Sequence, residues 1–343
     1  MDLAAFDYHL PPEAIAREPA ERRDAARLLV VDRARGRFFD HRVDELPALL
    51  RPGDCVVVNN SRVIPARVEA LDEAGRPVEL LFVERAGEAA WRALVRPGRR
   101  ARPGALLRAG GPEGPRLRIA GADPEGARLV ERLDGSIDDL LETWGTPPLP
   151  PYIARYRKPG PQDWERYQTV YAGPPGSIAA PTAGLHFTRE LLARLEARGV
   201  AVHALTLHVG PGTFRPITTR RVEEHRLPPE RVVIPPAVAA AVNAARAEGR
   251  RVVAVGTTTT RALEGAVVDG RVEPREGTVD LFIAPGYRFR VVDALLTNFH
   301  LPRSSLLVLV AAFAGLDLVL AAYRHAVAAG YRFYSYGDAT LFV

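Results

Sequence analysis

The second half of the chain contains the run VVAVGTTTTR at residues 252–261. Its four apolar residues predict a buried strand, and the glycine and four threonines after it predict the opening of a helix. Strand ends of open α/β sheets face the ligand crevice, and helix N-termini there favour anionic groups. Capping and turn chemistry alone is the alternative interpretation, but it would need only one or two threonines. The candidate ligand-binding residues here are Gly256, Thr257, Thr258, Thr259, Thr260 and Arg261.

Strands and helices alternate on both sides of this run. Such alternation predicts an α/β fold with a mostly parallel sheet that is covered on both faces. Apolar strands are predicted at residues 28–32, 54–59 and 200–209, with a closing strand at 331–336, and helices at 189–198, 236–249, 306–314 and 318–329.

From about residue 65 to residue 146 the pattern differs. Short alternating runs separated by Gly, Pro and charged turns predict a small antiparallel barrel or sandwich. A stiff proline-rich connector at residues 147–151 leads back to the α/β pattern. We therefore predict one α/β domain, residues 1–64 and 147–343, with a second, inserted β domain at residues 65–146.

The composition is that of an ordinary soluble globular protein of 343 residues, 47% hydrophobic and 25% charged. Cys55 is the only cysteine, which excludes an intrachain disulfide and a cysteine-based zinc site. We expect a cytoplasmic location, because the single cysteine fits a reducing compartment and the N-terminal sequence shows no signal peptide. We expect no membrane partner, since the longest apolar run, residues 306–316, is too short to span a bilayer.

The formal net charge is +5, and Lys158 is the only lysine. Codon or thermal bias is one explanation of the arginine preference; the other is that arginine binds phosphate bidentately and stacks on bases. Arginines cluster in the β domain and again, among aromatic residues, after residue 151. A solvated strand face or interdomain packing is the alternative to phosphate contact in these segments. The candidate phosphate-contacting residues are Arg96, Arg99, Arg100, Arg102, Arg155, Arg157 and Lys158.

Two further runs, GSIAAPTAGLHFT at residues 176–188 and LHVGPGTFRP at 207–216, mix small residues, hydroxyls and histidine among apolar residues. This mixture is typical of a site that holds a polar ligand against bare backbone. A third run, LTNFHLPRSS at 296–305, precedes a helix, and a carboxylate follows a glycine near the C-terminus. The candidates in these segments are Thr182, Gly184, His186, His208, Gly210, Gly212, Thr213, Arg215, Asn298, His300, Arg303 and Asp338.

The histidines of these runs are candidates for proton transfer or for hydrogen bonding to a substrate. A metal centre is the alternative, but the H-E-x-x-H spacing is missing and no carboxylate pair stands at ligand intervals. We therefore predict no metal ligands.

Several blocks together resemble a known family. They are FDYHLP at 6–11, RDAARLL at 23–29, NNSRVIPAR at 59–67, ERYQTVY at 165–171, APTAGLHFT at 180–188, GTTTTR at 256–261, TNFHLP at 297–302 and residues 331–338. The chain resembles the S-adenosylmethionine:tRNA ribosyltransferase-isomerases of queuosine biosynthesis. The resemblance implies a large α/β domain with an inserted β-barrel. It also implies ribosyl transfer from S-adenosylmethionine to a 7-aminomethyl-7-deazaguanine base at the tRNA wobble position, giving epoxyqueuosine, adenine and methionine.

The same resemblance implies that S-adenosylmethionine is a ribosyl-donor substrate, with no cofactor, and that the modified tRNA is the partner of an expected monomer. A base must remove an acidic ribose proton beside the sulfonium, and an acid must protonate the leaving adenine. Arginines could hold the methionine carboxylate or tRNA phosphates, and the threonine hydroxyls the ribose or amino-acid end. Another S-adenosylmethionine-dependent transferase, or a non-enzymatic tRNA-binding protein, is the alternative. The candidate proton-transfer groups are His186, His208, His300 and Asp338.

Overall fold

The computed structural model describes residues 1–124, 126–154, 156–214 and 216–343, without the side chains of Thr213 and Phe214. The chain divides into two units. The first, which we call the sheet unit, comprises Met1–Ser61, Gln168–Pro174 and Ala180–Val343; the second, the barrel unit, comprises Arg62–Tyr167 and Pro175–Ala179. The domain boundaries predicted after residues 64 and 146 stay a prediction.

The secondary structure follows in chain order. The strands are β1 Arg27–Asp32, β2 Arg37–Arg42, β3 Cys55–Asn59, β4 Arg62–Val63, β5 Arg67–Asp72, β6 Pro77–Arg85, β7 Ala90–Arg96, β8 Leu106–Ala109, β9 Arg116–Ala122, β10 Arg128–Arg132, β11 Pro175–Ser177, β12 Ala201–Leu207, β13 Glu230–Ile234, β14 Val252–Val255, β15 Val267–Val268, β16 Arg271–Val272, β17 Arg275–Val279, β18 Ala294–Asn298 and β19 Ala339–Phe342. The α-helices are α1 Leu46–Leu49, α2 Ile137–Trp144, α3 Pro151–Ala154, α4 Asp163–Arg166, α5 Arg189–Ala197, α6 Pro236–Ala247, α7 Thr257–Gly265, α8 Ser305–Ala314 and α9 Leu316–Ala328.

The sheet unit is built on one mixed sheet of strand order β17-β13-β12-β3-β14-β18-β19-β1-β2. Its central strands β12, β3, β14 and β18 run parallel, as do β19 and β1, and the remaining neighbours are antiparallel. Strands β3 and β14 are buried along their whole length, because helices cover both faces of a parallel sheet. The predicted α/β fold class is confirmed, and the antiparallel strands lie toward the edges of the sheet.

Helix α5 shows how the covering helices pack. Leu191 and Leu195 of α5 lie in one apolar core with alternate residues of β3 and β14, among them Val56 and Val253. The N-cap of the helix is Thr188, whose Oγ1 accepts a 3.0 Å hydrogen bond from the Leu191 N–H. The apolar face of α5 therefore holds the helix against the sheet.

The predicted closing strand at residues 331–336 is wrong, because the last strand is β19. Tyr334 has a φ of +75°, which an extended strand does not allow. The turn is held by Asp338, whose Oδ1 accepts from the Arg27 N–H at 2.9 Å and whose Oδ2 accepts from the Arg332 N–H at 2.8 Å. The aromatic residues before Asp338 therefore form a buried turn, and the shorter apolar segment after it pairs with β1 and β18.

The barrel unit contains a closed antiparallel barrel of order β10-β7-β6-β5-β8-β9. Its strands alternate buried and exposed residues, as β6 does with Val78, Leu80 and Phe82 inside. Closure leaves no unpaired strand edge, and α2 packs Leu140 onto the barrel core. The inserted β-barrel is confirmed.

No single helix in the described segments is long and apolar enough to cross a membrane; α8 and α9 reach the length only together and are bent by 114°.

Candidate active site

Four neighbouring strands of the sheet unit end at the same edge. Because β12, β3, β14 and β18 are parallel, their carboxyl ends lie side by side. The residues there are His208 after β12, Asn59 at the end of β3, Gly256 after β14 and Asn298 at the end of β18. We call this the carboxyl edge. Segments that are up to about 240 residues apart in sequence (59 to 298) therefore meet there.

The side-chain amide of Asn59 joins β3, β12 and α7. Its Oδ1 accepts from the N–H groups of Ser61 at 3.1 Å and Leu207 at 3.0 Å. Its Nδ2 donates to the Leu207 carbonyl at 2.9 Å and to Thr258 Oγ1 at 3.3 Å. All four hydrogen bonds of the amide are thus satisfied in a residue that is 1% exposed. Asn59 fixes the ends of β3 and β12 against the first turn of α7.

His208 is half-buried beside this junction. Its Nδ1 lies 2.7 Å from the hydroxyl of Ser61, which is fully buried. Its Nε2 has no hydrogen-bond partner among the residues that the structure describes. Burial, and secondly the charge of Arg231, hold the pKa of His208 below its usual value. The ring is therefore neutral near pH 7, with one nitrogen anchored and the other available to a substrate.

Helix α7 begins at the carboxyl edge, as predicted. Gly256 precedes it with a φ of +91°, a conformation that favours glycine. Thr259 and Thr260 use their hydroxyls on backbone carbonyls one turn back, Val255 at 2.7 Å and Gly256 at 3.1 Å. These two threonines therefore have a structural role, whereas Thr257 and Thr258 carry the first N–H groups of the helix.

His186 ends the short helix Thr182–His186 and contacts the end of β18. Its Nε2 lies 3.1 Å from Nδ2 of Asn298, which is 2% exposed. Burial, and then the charge of Arg332, lower the pKa of His186 to about 4. The Oδ1 of Asn298 is buried and has no hydrogen-bond partner among the described residues. His186 and Asn298 therefore form a neutral polar pair with an acceptor left open.

The same short helix lies close to α7 and to the partly buried Tyr171. A Cβ on Gly256 would lie 3.6 Å from the Cβ of Ala183. A Cβ on Gly184 would lie 2.2 Å from Oη of Tyr171, so only glycine fits there. The Thr182–His186 segment is therefore packed directly beside the start of α7. Thr182, its first residue, is partly buried.

His300 lies in the core. Its Nε2 lies 3.0 Å from Thr297 Oγ1, and its N–H donates to Tyr323 Oη at 3.2 Å. Phe299 beside it packs against Tyr323 and Phe333 with ring centroids 5.2 and 4.7 Å apart. Burial lowers the pKa of His300 to about 3. This environment is that of a structural histidine.

The two buried histidines predict a pH dependence of stability. Their pKa values in the folded protein, about 4 for His186 and about 3 for His300, lie below the 6.5 of the unfolded chain. The unfolded state therefore binds more protons below pH 6.5, and the stabilisation present above that pH is lost as the pH falls. Each histidine contributes a slope of about 1.4 kcal/mol per pH unit near pH 5.

Urea unfolding of the wild type and of His300→Gln at a series of pH values between about 7 and 4.5 measures this slope. We expect the variant to lose about 1.4 kcal/mol per pH unit less than the wild type. Parallel pH curves for the two proteins would contradict the assignment of His300 as a neutral buried group.

Arg261 of α7 is part of a buried ion pair. Its Nη1 donates to Glu230, and the two side chains are 5% and 4% exposed. Its Nε donates to the Leu281 carbonyl at 2.9 Å, and Glu230 also accepts from the Gly210 N–H at 2.8 Å. The glycine loop after β12 is thereby tied to α7. A Cβ on Gly212 would lie 2.5 Å from Pro228, so that glycine is also required by close packing.

Two other candidates lie away from these contacts. Arg303 is 55% exposed and paired with Asp7. Asp338 holds backbone N–H groups, as described above, and burial raises its pKa. Arg215 and the side chain of Thr213 lie outside the described residues, as does Arg155. The functional roles of all candidate residues stay predictions.

The basic candidates of the barrel unit differ in how they are engaged. Arg96, Arg99 and Arg102 are exposed and form no ion pair with a described carboxylate. Arg100 donates to the Pro77 carbonyl at 2.7 Å, and Arg157 pairs with both carboxylate oxygens of Asp163, at 2.5 and 2.8 Å. Arg100 and Arg157 are thus held by the protein itself.

Strand register places Arg96 and Lys158 on one outer face of the barrel. Glu79 of β6 lies opposite Arg96 and opposite Glu69 of β5, and directly opposed residues share a face. Lys158 Nζ lies 3.4 Å from Glu69 Oε1. Tyr156 and Trp164, which lie near Lys158 in sequence, are 60% and 47% exposed. We call the outer surface around Arg96 and Lys158 the basic barrel face.

No three His, Cys, Asp or Glu side chains within the described ranges form a group that could hold a metal ion.

Comparison with known proteins shows the family of this chain. A family model described as "Queuosine biosynthesis protein" matches residues 3–342. The chain belongs to the queuosine biosynthesis protein family. Members of this family include curated relatives from Symbiobacterium thermophilum, 50% identical, and Thermus thermophilus, 54% identical, each over 99% of both chains. Both carry the name S-adenosylmethionine:tRNA ribosyltransferase-isomerase.

A solved structure of the family is also similar. The crystal structure of S-adenosylmethionine tRNA ribosyltransferase from Thermotoga maritima is 37% identical, covers 99% of this chain and 100% of that chain, and has a TM-score of 0.55. This chain is accordingly an enzyme of the queuosine biosynthesis family, with the fold class of that neighbour.

Our sequence prediction omitted three residues that organise the site: Asn59, Ser61 and Glu230. A signal for the first two was present, since polar residues end and directly follow the apolar run of the strand predicted at 54–59. Glu230 carried no such signal, because its partner Arg261 is 31 residues away.

Proposed function

We propose that the chain transfers and isomerises the ribosyl moiety of S-adenosylmethionine onto 7-aminomethyl-7-deazaguanine at the wobble position of tRNA, with adenine and methionine as the other products. The observation that carries this proposal is the carboxyl edge. There an anchored neutral histidine, a polar histidine–asparagine pair and a helix N-terminus meet in a sheet unit of this family. Together they supply a proton acceptor, hydrogen-bonding groups and N–H donors.

We assign roles to the groups at this edge. His208 removes the ribose proton that the adjacent sulfonium makes acidic, because its Nε2 is available and its ring is neutral. His186 and Asn298 hydrogen-bond a polar part of the nucleoside through the open Oδ1 of Asn298. The N–H groups of Thr257 and Thr258 bind an anionic or hydroxyl group of the substrate. His300 and Asp338 have structural roles in this assignment.

The substrates on this proposal are S-adenosylmethionine, acting as ribosyl donor, and tRNA carrying the modified base. No additional cofactor enters the proposed reaction. We propose further that the protein acts as a monomer in the cytoplasm.

We test the reaction by mixing the protein with S-adenosylmethionine and tRNA that carries 7-aminomethyl-7-deazaguanine. The expected products are free adenine, methionine and epoxyqueuosine at the wobble position, each equimolar with tRNA consumed. Formation of S-adenosylhomocysteine instead would indicate a methyltransferase. Retention of tRNA without turnover would indicate a non-enzymatic binding protein. Either result would overturn the proposal.

The basic barrel face, together with other exposed arginine and aromatic side chains of the barrel unit, is the proposed tRNA contact surface. Arg96, Arg99 and Arg102 have guanidinium groups open for phosphates, and Tyr156 and Trp164 offer rings for unstacked bases. Lys158 joins them, whereas Arg100 and Arg157 support the surface through protein contacts.

Replacing Arg96, Arg99 and Arg102 together by glutamine is expected to raise the KM for tRNA about tenfold. It should also make the plot of log K for tRNA binding against log salt concentration less steep by about 2, since each lost phosphate contact removes roughly 0.7–0.9 from the slope. The KM for S-adenosylmethionine should not change. Steady-state kinetics at several salt concentrations measure both effects.

A charge-matched control replaces Arg76, Arg116 and Arg118 of the same unit by glutamine. These three arginines pair with Asp72, Asp134 and Glu131, respectively. We expect it to keep the wild-type salt slope. Equal losses in the two triple variants would mean that net charge, rather than this surface, binds the tRNA.

A further inference from the structure

Arg261 has one arm of its guanidinium group that the protein does not use. Its Nε and Nη1 donate to the Leu281 carbonyl and to Glu230, whereas its Nη2 has no hydrogen-bond partner among the described residues. The Nη2 atom is shielded from solvent, in a side chain that is 5% exposed. A buried N–H donor without an acceptor costs free energy, so this arm lacks a partner that a ligand can supply.

Arg261 lines a small pocket of the sheet unit beside the first residues of helix α8. Ser305, the first residue of that helix, lines it too, and the walls are otherwise apolar, among them Phe282, Leu306 and Leu309. The Ser305 hydroxyl and the N–H groups of Ser305 and Leu306 form no hydrogen bond with a described residue. The pocket is narrow, with room for about one water-sized atom.

This pocket borders the carboxyl edge. Glu230, which holds Nη1 of Arg261, also accepts from the N–H of Gly210, two residues after His208. Helix α7, which carries Arg261, begins at the edge, and α8 begins seven residues after Asn298. The open arm of Arg261 therefore lies beside the groups to which the proposed reaction is assigned.

The polar groups of the pocket favour a carboxylate. A guanidinium N–H, a hydroxyl and the first N–H groups of a helix all donate well to an anionic oxygen. The width of the pocket admits one such oxygen and excludes a nucleobase or a ribose ring.

The ion pair narrows the choice to the carboxylate of an amino acid. Glu230 already balances the charge of Arg261, so a simple anion would leave an excess negative charge in a buried place. An amino-acid end brings an ammonium group together with its carboxylate and is neutral overall. Of the two substrates in the proposed reaction, S-adenosylmethionine carries such a group, at its methionine end.

We propose that Arg261 and Ser305 bind the carboxylate of the methionine end of S-adenosylmethionine. Nη2 of Arg261 and the Ser305 hydroxyl donate to the carboxylate oxygen that enters the pocket, and the same contacts hold the product methionine until it leaves. Glu230 is a positioning residue, because it holds Nη1 and thereby fixes the orientation of the guanidinium plane. This inference rests on the proposed function, which supplies the identity of the ligand.

The first test measures binding without turnover. L-Methionine and L-methioninol, in which a CH₂OH group replaces the carboxylate, are titrated separately into the protein and followed by calorimetry. We expect the wild type to bind L-methionine at least about tenfold more tightly, since a hydrogen bond to a charged group contributes about that factor or more.

Two variants locate the group that recognises the carboxylate. The preference for L-methionine should fall severalfold in Ser305→Ala and to within about twofold in Arg261→Lys. Lysine keeps the positive charge beside Glu230, but it lacks the planar fork that serves both Glu230 and the pocket.

Steady-state kinetics give the second test. Ser305→Ala and Arg261→Lys are expected to raise the KM for S-adenosylmethionine about tenfold and to keep kcat within about threefold, because the carboxylate is held equally before and during the reaction. The matched control is Arg251→Lys. Arg251 also pairs with both oxygens of a buried carboxylate, that of Asp54, but at the amino end of β14, so this variant should keep the wild-type KM. Urea unfolding checks that each variant is folded.

The outcomes separate the inference from the proposed function. No measurable binding of L-methionine to the wild type, equal binding of the two ligands, or an undiminished preference in both variants would overturn the inference and leave the pocket to water. Equal KM changes in Arg261→Lys and Arg251→Lys would do the same. Absence of adenine release from the wild type, with a preference for L-methionine that depends on Arg261 and Ser305, would instead overturn the proposed function while the carboxylate site stands.

Discussion

Replacing His208 by glutamine is expected to lower the rate of adenine release about 100- to 10,000-fold, the usual contribution of a positioned acid or base. Glutamine has a similar reach and can still contact Ser61, but it cannot take a proton at neutral pH. The loss should appear in kcat and in kcat/KM alike, since a proton transfer is made only in the transition state. Single-turnover measurement of adenine release checks it.

His203→Gln is the matched control for that variant. His203 lies on the same strand, β12, is also partly buried, and has a pKa lowered by burial. It stands upstream of the carboxyl edge, so its replacement should change the rate by less than about twofold. Equal losses in the two variants, or none in His208→Gln, would remove His208 from the proton transfer.

The pH profile gives a further check on the same group. Because the pKa of His208 lies below its usual value, the wild-type rate should fall on acidification as the ring becomes protonated, and this fall should come at a lower pH than the usual pKa of histidine would give. The falling limb should disappear in His208→Gln.

Breaking the Arg261–Glu230 ion pair is expected to have the largest effect on stability. Arg261→Met leaves the Glu230 carboxylate buried, with the Gly210 N–H as a remaining donor. Removing one partner of such a buried pair costs about 3–5 kcal/mol of the free energy of unfolding. Urea unfolding followed by far-UV circular dichroism measures the loss.

A double variant tests the cause. Glu230→Gln in the Arg261→Met background removes the buried negative charge, and the amide oxygen can still accept from Gly210, so part of the lost stability should return. The control Arg231→Met breaks the exposed pair between Arg231 and Glu276, whose side chains are 65% and 73% exposed, and should change stability by less than about 1 kcal/mol. A double variant no more stable than Arg261→Met would show that packing, not the buried charge, causes the loss.

The α/β fold could be predicted because its strands are short apolar runs with clear ends. Residues 54–59 and 252–255 are buried on both faces, and the glycine after the second run has the positive φ that helix α7 needs. The closing strand was wrong for a local reason: the aromatic run at 331–336 has the composition of a strand, but Tyr334 adopts a left-handed turn. Composition does not report a single backbone dihedral.

The sequence indicated several residues of the candidate site but not how each of them is engaged. His208 and His300 stand in similar sequence contexts, each a histidine among apolar residues. The fold places His208 at the carboxyl edge with one nitrogen open, and His300 among aromatic rings with its Nε2 on Thr297. Arg261 likewise has the sequence signature of a ligand-binding residue, yet it pairs with Glu230.

The sequence by itself determined the element types, the barrel insert and the motifs that meet at the carboxyl edge, because hydrophobic periodicity and turn residues act over a few neighbouring positions. Only the tertiary structure decided which polar groups are partners. Ser61 and His208, or His186 and Asn298, are more than a hundred residues apart, and their contact depends on the order in which the parallel strands assemble. Burial and partnership set whether a histidine keeps a neutral nitrogen open, and both are properties of the assembled sheet.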